Sequence, residues 1–185
     1  MKFSTKWHLN HSVCEISPLQ IKDDRGFFSE IYQKNNFNDL GIKDVFVQEN
    51  QSFSNNKNTF RGLHLQKPPY EQAKLIRVLK GEILDIAVDL RRDSPTYMQH
   101  KFFTLSEENF KQVYIPIGFA HGFLTLEDNC QVLYKVSNFY NHDSDVSISL
   151  FDKELNISLP CRDDHIILSD KDKNGIMWSS IGEIF

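Results

Sequence analysis

The segment from Arg61 to Leu90 contains three apolar, strand-like runs, and the ionisable residues Arg61, His64, Lys74 and Asp85 lie among them. Because imidazole titrates near neutral pH, His64 could act as a base. Arg61 and Lys74 supply two cations, and Asp85 supplies a carboxylate with which Lys74 could pair. Each group also has an ordinary structural interpretation, since a single histidine is often half-buried and a buried lysine is usually paired.

The pattern of apolar residues predicts the elements that carry these groups. Short β-branched or aromatic runs separated by turn residues are typical of an antiparallel sandwich or barrel. The runs are DVFVQENQSF, KLIRVL, EILDIAVDL, HKFFTL, QVYIPI, HGFLTL and QVLYKV. One helix is predicted within SEIYQKNNFNDLGI, where Gly41 suits the position just past a helix end.

A first predicted hairpin has Lys80-Gly81 as its two-residue turn, so that Ile76 faces Asp85. Lys74 and Asp85 then form a diagonal pair, roughly 7–8 Å apart at the backbone. The shared face consists of Lys74, Ile76, Val78, Ile83, Asp85 and Ala87.

A second predicted hairpin has Asp128-Asn129 as its turn, so that Phe123 faces Tyr134. His121 and Tyr134 form another diagonal pair of ionisable groups. The shared face consists of His121, Phe123, Thr125, Val132 and Tyr134.

A hydrophobic core does not need these ionisable groups, and burying them without partners is unfavourable. Their convergence inside a β-shell favours a pocket for a polar, anionic ligand. Arg61 is a difficulty, because the two-residue period of a strand places it on the face opposite His64. A β-bulge at Gly62 would turn Arg61 inward.

Length and composition limit the class of protein. The chain has 185 residues, 40% of them hydrophobic, and it has no repeat or linker, so we expect one domain over residues 1–185. Its net charge of -4 comes from interspersed acids and bases, which argues against nucleic-acid binding. The start, MKFSTKWHLNHSV, is unlike a signal peptide, and no apolar run is long enough to span a bilayer. We expect a cytoplasmic protein that binds no membrane.

The three cysteines, Cys14, Cys130 and Cys161, are widely spaced and form no CxxC pair. Neither a disulfide framework nor a zinc ribbon is therefore indicated. We expect free thiols, with Cys130 in the core.

A metal site is one alternative, because histidines on small β-barrels commonly bind iron, manganese or zinc. His64 has no second histidine two residues further on, and Lys74 and Tyr134 are poor ligands. We expect no metal.

Two charged segments lie outside the predicted hairpins. DDRGFFSEIY contains Arg25 and Glu30, and LSDKDKNG contains Lys171 and Asp172. Taken alone, both segments are interpreted as solvated surface charge.

Five ordered segments resemble one known family. They are RGLHLQ, AKLIRVLKGEILDIAVDLRRDSPTY, LSEENFKQVYIPIGFAHGFLTL, LYKVSNFY and LSDKD. The chain resembles the dTDP-4-dehydrorhamnose 3,5-epimerase family of cupins, and the likeness runs from about Arg25 to Asp172. The resemblance implies an all-β, cupin-type jelly-roll barrel with a few short peripheral helices. It also implies a homodimer that acts without metal or other cofactor on a nucleotide-sugar substrate, dTDP-4-dehydro-6-deoxy-glucose.

The resemblance also implies residue roles. His64 matches the base that removes the sugar ring protons, and Asp172 matches the carboxylate that orients it. Tyr134 matches the acid on the opposite face of the sugar, and Lys74 matches the lysine that stabilises the enolate oxygen. The positions implied to bind the substrate are Arg25, Glu30, Gln48, Asn50, Arg61, Lys74, His121, Tyr140 and Lys171.

This set of residues makes chemical sense. A ketone at sugar carbon 4 acidifies the hydrogens on carbons 3 and 5, so a base can remove either proton if a cation stabilises the enolate. His64 and Lys74 suit these two tasks, and inversion needs a second proton donor across the ring, such as Tyr134.

The sequence departs from the family pattern in three places. Leu65 follows the motif histidine where an aromatic residue is usual, Phe151 and Leu159 stand where tryptophans are usual, and SPTYMQH lacks a frequent glycine. Thymidine specificity is therefore less firmly indicated than the type of reaction.

Several alternatives remain open from the sequence. They are a single-carbon epimerase, a GDP-sugar epimerase, a 3,4-ketoisomerase, a cupin that only binds a sugar nucleotide, and a metal-dependent cupin oxygenase. An acid opposite the base distinguishes the enzymes from a binding module, and metal analysis distinguishes the oxygenase.

Overall fold

The computed structural model describes residues 2–182 and 184–185, and β-strands form most of its regular structure. The strands in chain order are β1 (Phe3–His8), β2 (Val13–Pro18), β3 (Ile21–Asp23), β4 (Gly26–Phe28), β5 (Gln48–Ser54), β6 (Phe60–Gln66), β7 (Lys74–Lys80), β8 (Glu82–Asp89), β9 (His100–Ser106), β10 (Gln112–Ile115), β11 (Phe119–Thr125), β12 (Cys130–Val136) and β13 (Asp145–Ser147).

The helices are short and peripheral. The α-helices are α1 (Lys34–Asp39) and α2 (Asp170–Lys173), and the 3-10 helices are His142–Ser144, Asp163–His165 and Trp178–Ser180. The predicted N-terminal helix is confirmed as α1, and Gly41 follows its end with a φ of +93°. This left-handed conformation is one that glycine adopts easily.

Two large antiparallel sheets make up the body of the fold. One contains six strands in the order β1-β2-β10-β7-β12-β5, and the other contains five in the order β13-β6-β11-β8-β9. A separate two-stranded ribbon joins β3 and β4. The expected all-β cupin jelly roll is confirmed.

Side chains from both large sheets fill the space between them. This inner core consists of Val13, Ile76, Val78, Ile83, Ala87, Phe103, Leu105, Val113, Ile115, Phe119, Phe123, Cys130 and Val132. The C-terminal segment covers the outer face of the five-stranded sheet, where Trp178 packs against residues such as Leu63 and Ile86. Helix α1 covers the outer face of the six-stranded sheet through Phe37.

Both predicted hairpins are wrong. Strand β7 pairs with β10 and β12, whereas β8 pairs with β9 and β11, so Lys80-Gly81 connects strands of different sheets. Asp128-Asn129 likewise connects β11 of one sheet with β12 of the other. The diagonal pairs Lys74–Asp85 and His121–Tyr134 therefore do not exist as cross-strand neighbours.

The predicted inward faces are nevertheless correct. Ile76 and Val78 of β7 and Ile83 and Ala87 of β8 all belong to the inner core. When a turn connects strands of two packed sheets, the alternate side chains of both strands still face the space between the sheets. A hairpin within one sheet would direct the same side chains inward. The two arrangements bring the same residues inward through different hydrogen-bond partners.

The cysteine predictions are confirmed. All three cysteines are free thiols, and Cys130 is buried in the inner core.

Candidate active site

A cavity with two adjoining chambers opens between the sheets. The inner chamber has a volume of about 280 Å³ and is lined by Ser52, Arg61, His64, Lys74, His121, Phe123, Tyr134, Ser169, Lys171 and Asp172. The outer chamber has a volume of about 430 Å³ and is lined by Gln48, Asn50, His64, Leu65, Gln66, Gln72, Lys74, Tyr134, Tyr140, Asp145 and Lys171. Four ionisable residues, His64, Lys74, Tyr134 and Lys171, line both chambers.

A β-bulge in β6 brings Arg61 and His64 to the same chamber. His64 pairs with His121 of β11, and Arg61 pairs with Phe123, so β6 has one more residue than β11 between these points. The extra residue reverses the normal alternation of side chains. Gly62 has a φ of +131°, and a Cβ there would lie 2.6 Å from the Cα of Gly122. The bulge predicted at Gly62 is confirmed.

His64 and Asp172 form a hydrogen-bonded dyad. The His64 Nε2 lies 2.6 Å from Asp172 Oδ1. A carboxylate can only accept here, so a neutral His64 carries its proton on Nε2 and its lone pair on Nδ1. The carboxylate thus selects one tautomer of the imidazole.

Helix α2 holds Asp172 in place. The Ser169 side chain caps the helix by accepting from the Asp172 amide at 3.1 Å, and its hydroxyl donates to Asp172 Oδ2 at 2.9 Å. Ser147 donates to the other carboxylate oxygen at 3.2 Å. Burial raises the pKa of Asp172, but hydrogen bonds from His64, Ser169 and Ser147 outweigh burial and hold that pKa below its usual value.

Lys74 is a buried cation between the two chambers. Only 9% of its surface is exposed, and its ammonium donates to the His64 carbonyl oxygen at 3.2 Å. Burial lowers the pKa of Lys74 to about 8, although the carboxylates of Asp145 and Asp85 oppose that shift. Lys74 is therefore mostly protonated at neutral pH but titrates within a physiological range.

A second histidine–carboxylate pair consists of His121, which lines the inner chamber, and Asp85, which lies behind that lining. The His121 Nε2 is 2.7 Å from Asp85 Oδ2, and Asp85 is completely buried. Burial lowers the pKa of His121, and Asp85 partly counteracts this effect. Among the described residues, Asp85 Oδ1 has no hydrogen-bond partner.

Tyr134 enters the cavity from the sheet opposite His64. It lies on β12 of the six-stranded sheet, whereas His64 lies on β6 of the five-stranded sheet. Burial raises the pKa of Tyr134, and the nearby Arg61 charge opposes that shift. The hydroxyl is therefore protonated at neutral pH and faces a cation that stabilises its deprotonated form.

The outer chamber is bounded by polar side chains and one exposed aromatic residue. Gln48 donates to Asn50 Oδ1 at 2.9 Å and accepts from the Tyr140 amide at 3.1 Å. Asp145 accepts from the Tyr140 hydroxyl at 3.1 Å and forms an ion pair with Lys171. These contacts join β5, β13 and α2 around the opening.

Asp145 was missed by the sequence reasoning. It stands in the charged segment NHDSDVS, where no local pattern distinguishes it from surface carboxylates. Only the folded chain brings Asp145 to the outer chamber and close to Lys74.

Two of the implied binding residues lie outside both chambers. Arg25 is on the β3–β4 ribbon, with 89% of its side chain exposed, and pairs with Asp23. Glu30 pairs with Lys2 and lines a separate cavity of about 340 Å³. The other implied site residues line one or both chambers.

Within the described part of the chain, no three His, Cys, Asp or Glu side chains are grouped so that they could hold a metal ion. Across the same residues, no helix has the length and apolar character needed to cross a membrane. The absence of a cofactor stays a prediction.

The fold and the site define a cupin-type jelly roll whose interior is a polar pocket equipped for proton transfer. The chain belongs to the dTDP-4-dehydrorhamnose 3,5-epimerase family, whose members are isomerases, since the model of that family matches residues 10–180. The family expected from the five sequence segments is confirmed.

Individual relatives are similar over most of their length. An enzyme of this name from Shigella flexneri is 45% identical over 164 residues, covering 88% of this chain and 89% of that protein. A crystal structure of the Bacillus anthracis epimerase with TDP and PPi bound has a TM-score of 0.91 and 43% identity, covering 95% of this chain and 99% of the other. A Legionella pneumophila epimerase in complex with dTDP-4-keto-L-rhamnose has a TM-score of 0.91 and 39% identity, covering 97% and 94%.

Proposed function

We propose that the chain inverts carbons 3 and 5 of dTDP-4-dehydro-6-deoxy-D-glucose to give dTDP-4-dehydro-L-rhamnose. The sugar occupies the inner chamber, and the nucleotide extends through the outer chamber. The TDP and dTDP-4-keto-L-rhamnose complexes of the two related structures support a dTDP-sugar as the ligand. Phe151 and Leu159, which depart from the family pattern, line a different surface depression, so they leave this choice of nucleotide intact.

One observation carries the proposal: His64 and Tyr134 reach the same cavity from opposite sheets. Inversion requires that a proton leaves one face of the sugar and another arrives at the opposite face. A base on one wall and an acid on the facing wall meet this requirement without rotation of the sugar. A module that only binds sugar nucleotides has no need of such a pair.

The first step is removal of a proton from carbon 3 or 5 by His64. The electron pair of the broken C–H bond forms a double bond to carbon 4, and the π electrons of the carbonyl move to its oxygen, which becomes the enolate oxygen. The Asp172 carboxylate at 2.6 Å stabilises the imidazolium that forms. The Lys74 ammonium stabilises the enolate oxygen, because an interaction of two charges is strong in a largely buried site.

The second step is protonation from the other face. Tyr134 donates its hydroxyl proton to the carbon, and the electron pair of the enolate forms the new C–H bond. The tyrosinate that results is stabilised by Arg61, whose charge lowers the pKa of the phenol. Exchange with solvent through the open outer chamber restores the starting protonation states of His64 and Tyr134.

Substrate binding uses the remaining polar groups of the two chambers. Lys171 and Arg61 supply positive charge for the diphosphate, whose oxygens accept charge-assisted hydrogen bonds. The Nε2–H of His121 donates to Asp85, which leaves the Nδ1 lone pair to accept from a sugar hydroxyl. Gln48, Asn50 and Tyr140 border the nucleotide.

We further propose that residues 1–185 form one domain that dimerises and acts in the cytoplasm without a cofactor. The β3–β4 ribbon supports a homodimer, because Ile21, Phe27 and Phe28 on it are all more than half exposed. Exposed apolar surface of this kind commonly marks a protein interface. Arg25 on the same ribbon would then be close to a second copy of the chain.

The test is proton exchange in heavy water. The purified chain is incubated with dTDP-4-dehydro-6-deoxy-D-glucose, and carbons 3 and 5 are followed by NMR. Deuterium at both carbons, with inversion at both, is the expected result. Deuterium at one carbon would identify a single-carbon epimerase, and deuterium at neither would exclude this substrate.

A further inference from the structure

Two loops form one side of the outer chamber opening. These loops, residues 67–73 and 137–144, are called the rim. The rim carries three partly or largely exposed aromatic side chains, Tyr70, Phe139 and Tyr140. The ring of Tyr140 also lines the outer chamber, so the position of the rim sets the shape of that chamber.

One side chain connects both loops of the rim. Gln66 Nε2 donates to the Tyr70 carbonyl oxygen at 2.5 Å and to the Phe139 carbonyl oxygen at 3.1 Å. Gln66 Oε1 accepts from the Asn141 amide at 2.7 Å. A single amide group thus connects residues on both sides of Tyr140 to the loop that contains Tyr70.

These bonds leave Gln66 no donor for a ligand. A primary amide has two N–H groups, and both are used within the protein. The residue is also 4% exposed. Gln66 therefore acts on any ligand through the rim rather than by direct donation.

Gln66 lies two residues beyond His64 on strand β6. The same strand therefore carries the proposed base and the anchor of the rim. The distance between the reacting end and the nucleotide end of the site is then fixed by one short, extended segment of backbone. Gln72 adds a weaker connection, with a single bond of 2.7 Å from its Nε2 to the Asn138 carbonyl oxygen.

We propose that Gln66 is a positioning residue that holds the rim ready to bind the nucleotide at a set distance from His64. This inference rests on the proposed function for the identity of the ligand. Preorganisation of the rim lowers the entropic cost of ordering its side chains when the nucleotide binds. Gln66 is thus a determinant of affinity and not of the chemical step.

The test compares three glutamine-to-methionine variants that differ in their connection to the rim. Gln66→Met removes three bonds, and Gln72→Met removes one. Gln112→Met is the matched control, because Gln112 is also a buried glutamine whose Nε2 bonds a loop carbonyl, that of Ile31 at 2.9 Å, but it lines neither chamber. Calorimetry measures the Kd for dTDP, and steady-state assays measure KM and kcat.

Gln66→Met should raise the Kd for dTDP and the KM about tenfold, which corresponds to about 1.4 kcal/mol. The kcat should stay within about threefold of wild type. Gln72→Met should give a smaller rise, and Gln112→Met none, even if its melting temperature falls. Equal Kd values for the Gln66 and Gln112 variants, or a loss of kcat without a rise in KM, would overturn the proposal.

A second measurement does not depend on the ligand. Hydrogen exchange of the Asn141 and Tyr140 amides should become faster in Gln66→Met and remain unchanged in Gln112→Met. Unchanged exchange at both amides in Gln66→Met would refute the role of Gln66 in holding the rim. Failure of the wild-type chain to bind dTDP would instead count against the proposed function.

Discussion

Replacement of Asp172 by asparagine is the most informative perturbation of the proposed base. The asparagine side chain would keep nearly the same shape but lose the negative charge that stabilises the imidazolium. Asp172 accepts from His64 at 2.6 Å, and its side chain is only 4% exposed, so solvent cannot replace the lost charge. The amide can also present its NH2 group to His64 and thereby favour the wrong tautomer.

The magnitude follows from the strength of that contact. A hydrogen bond to a charged group contributes about 1.5–3 kcal/mol, and each 1.36 kcal/mol in the activation barrier changes the rate about tenfold. Asp172→Asn should therefore lower kcat about 10- to 150-fold. KM should change little, because the carboxylate acts on His64 and not on the substrate.

The assay is kcat for epimerisation, with Asp152→Asn as the matched control. Asp152 is also a buried carboxylate, but it accepts from the backbone amides of Glu154 and Trp178 outside both chambers. The control should lose thermal stability and keep kcat close to wild type. A kcat for Asp172→Asn within threefold of wild type, in a folded protein, would refute the assignment of Asp172.

Two further predictions concern Lys74 and Gly62. The ammonium form of Lys74 stabilises the enolate, and the Lys74 pKa is about 8, so kcat/KM should fall as the pH rises through about 8. Lys74→Met should lower kcat about 10²–10³-fold. If kcat/KM of that variant still fell with pH as in the wild type, the assignment of Lys74 would be contradicted. Gly62→Ala should lower the free energy of unfolding by more than Gly26→Ala in chemical denaturation. Both glycines have a strongly positive φ, but only at Gly62 would a Cβ meet backbone atoms within 3 Å; equal losses would show that the bulge has room for a side chain.

The strand pairing shows where the sequence was insufficient. The turn at Lys80-Gly81 looks the same whether its flanking strands pair with each other or cross from one sheet to the next. The local alternation of apolar residues determines which side chains point inward, and this was predicted correctly. The partners of each strand depend on contacts distant in sequence, such as β10 with β2 and β7, which no local pattern contains.

The site was predictable to different degrees. The inward direction of Lys74 and Asp85 follows from the apolar faces that they interrupt. The bulge at Gly62 was suggested because Arg61 and His64 would otherwise point to opposite faces of the strand. The pairing of His64 with Asp172, which are 108 residues apart, came only from the family resemblance, because a solvated charge run gives no such signal. The residue-specific roles stay predictions until they are tested.

His64 and Tyr134 are proposed to act as base and acid from opposite walls of one cavity. The decisive experiment uses Tyr134→Phe in heavy water, with NMR used to follow deuterium uptake and configuration at carbons 3 and 5 of dTDP-4-dehydro-6-deoxy-D-glucose. This variant should retain some exchange through His64 but lose inversion, whereas His64→Ala should lose both. Inversion at the wild-type rate in Tyr134→Phe would show that Tyr134 is not the acid, and wild-type exchange in His64→Ala would show that His64 is not the base.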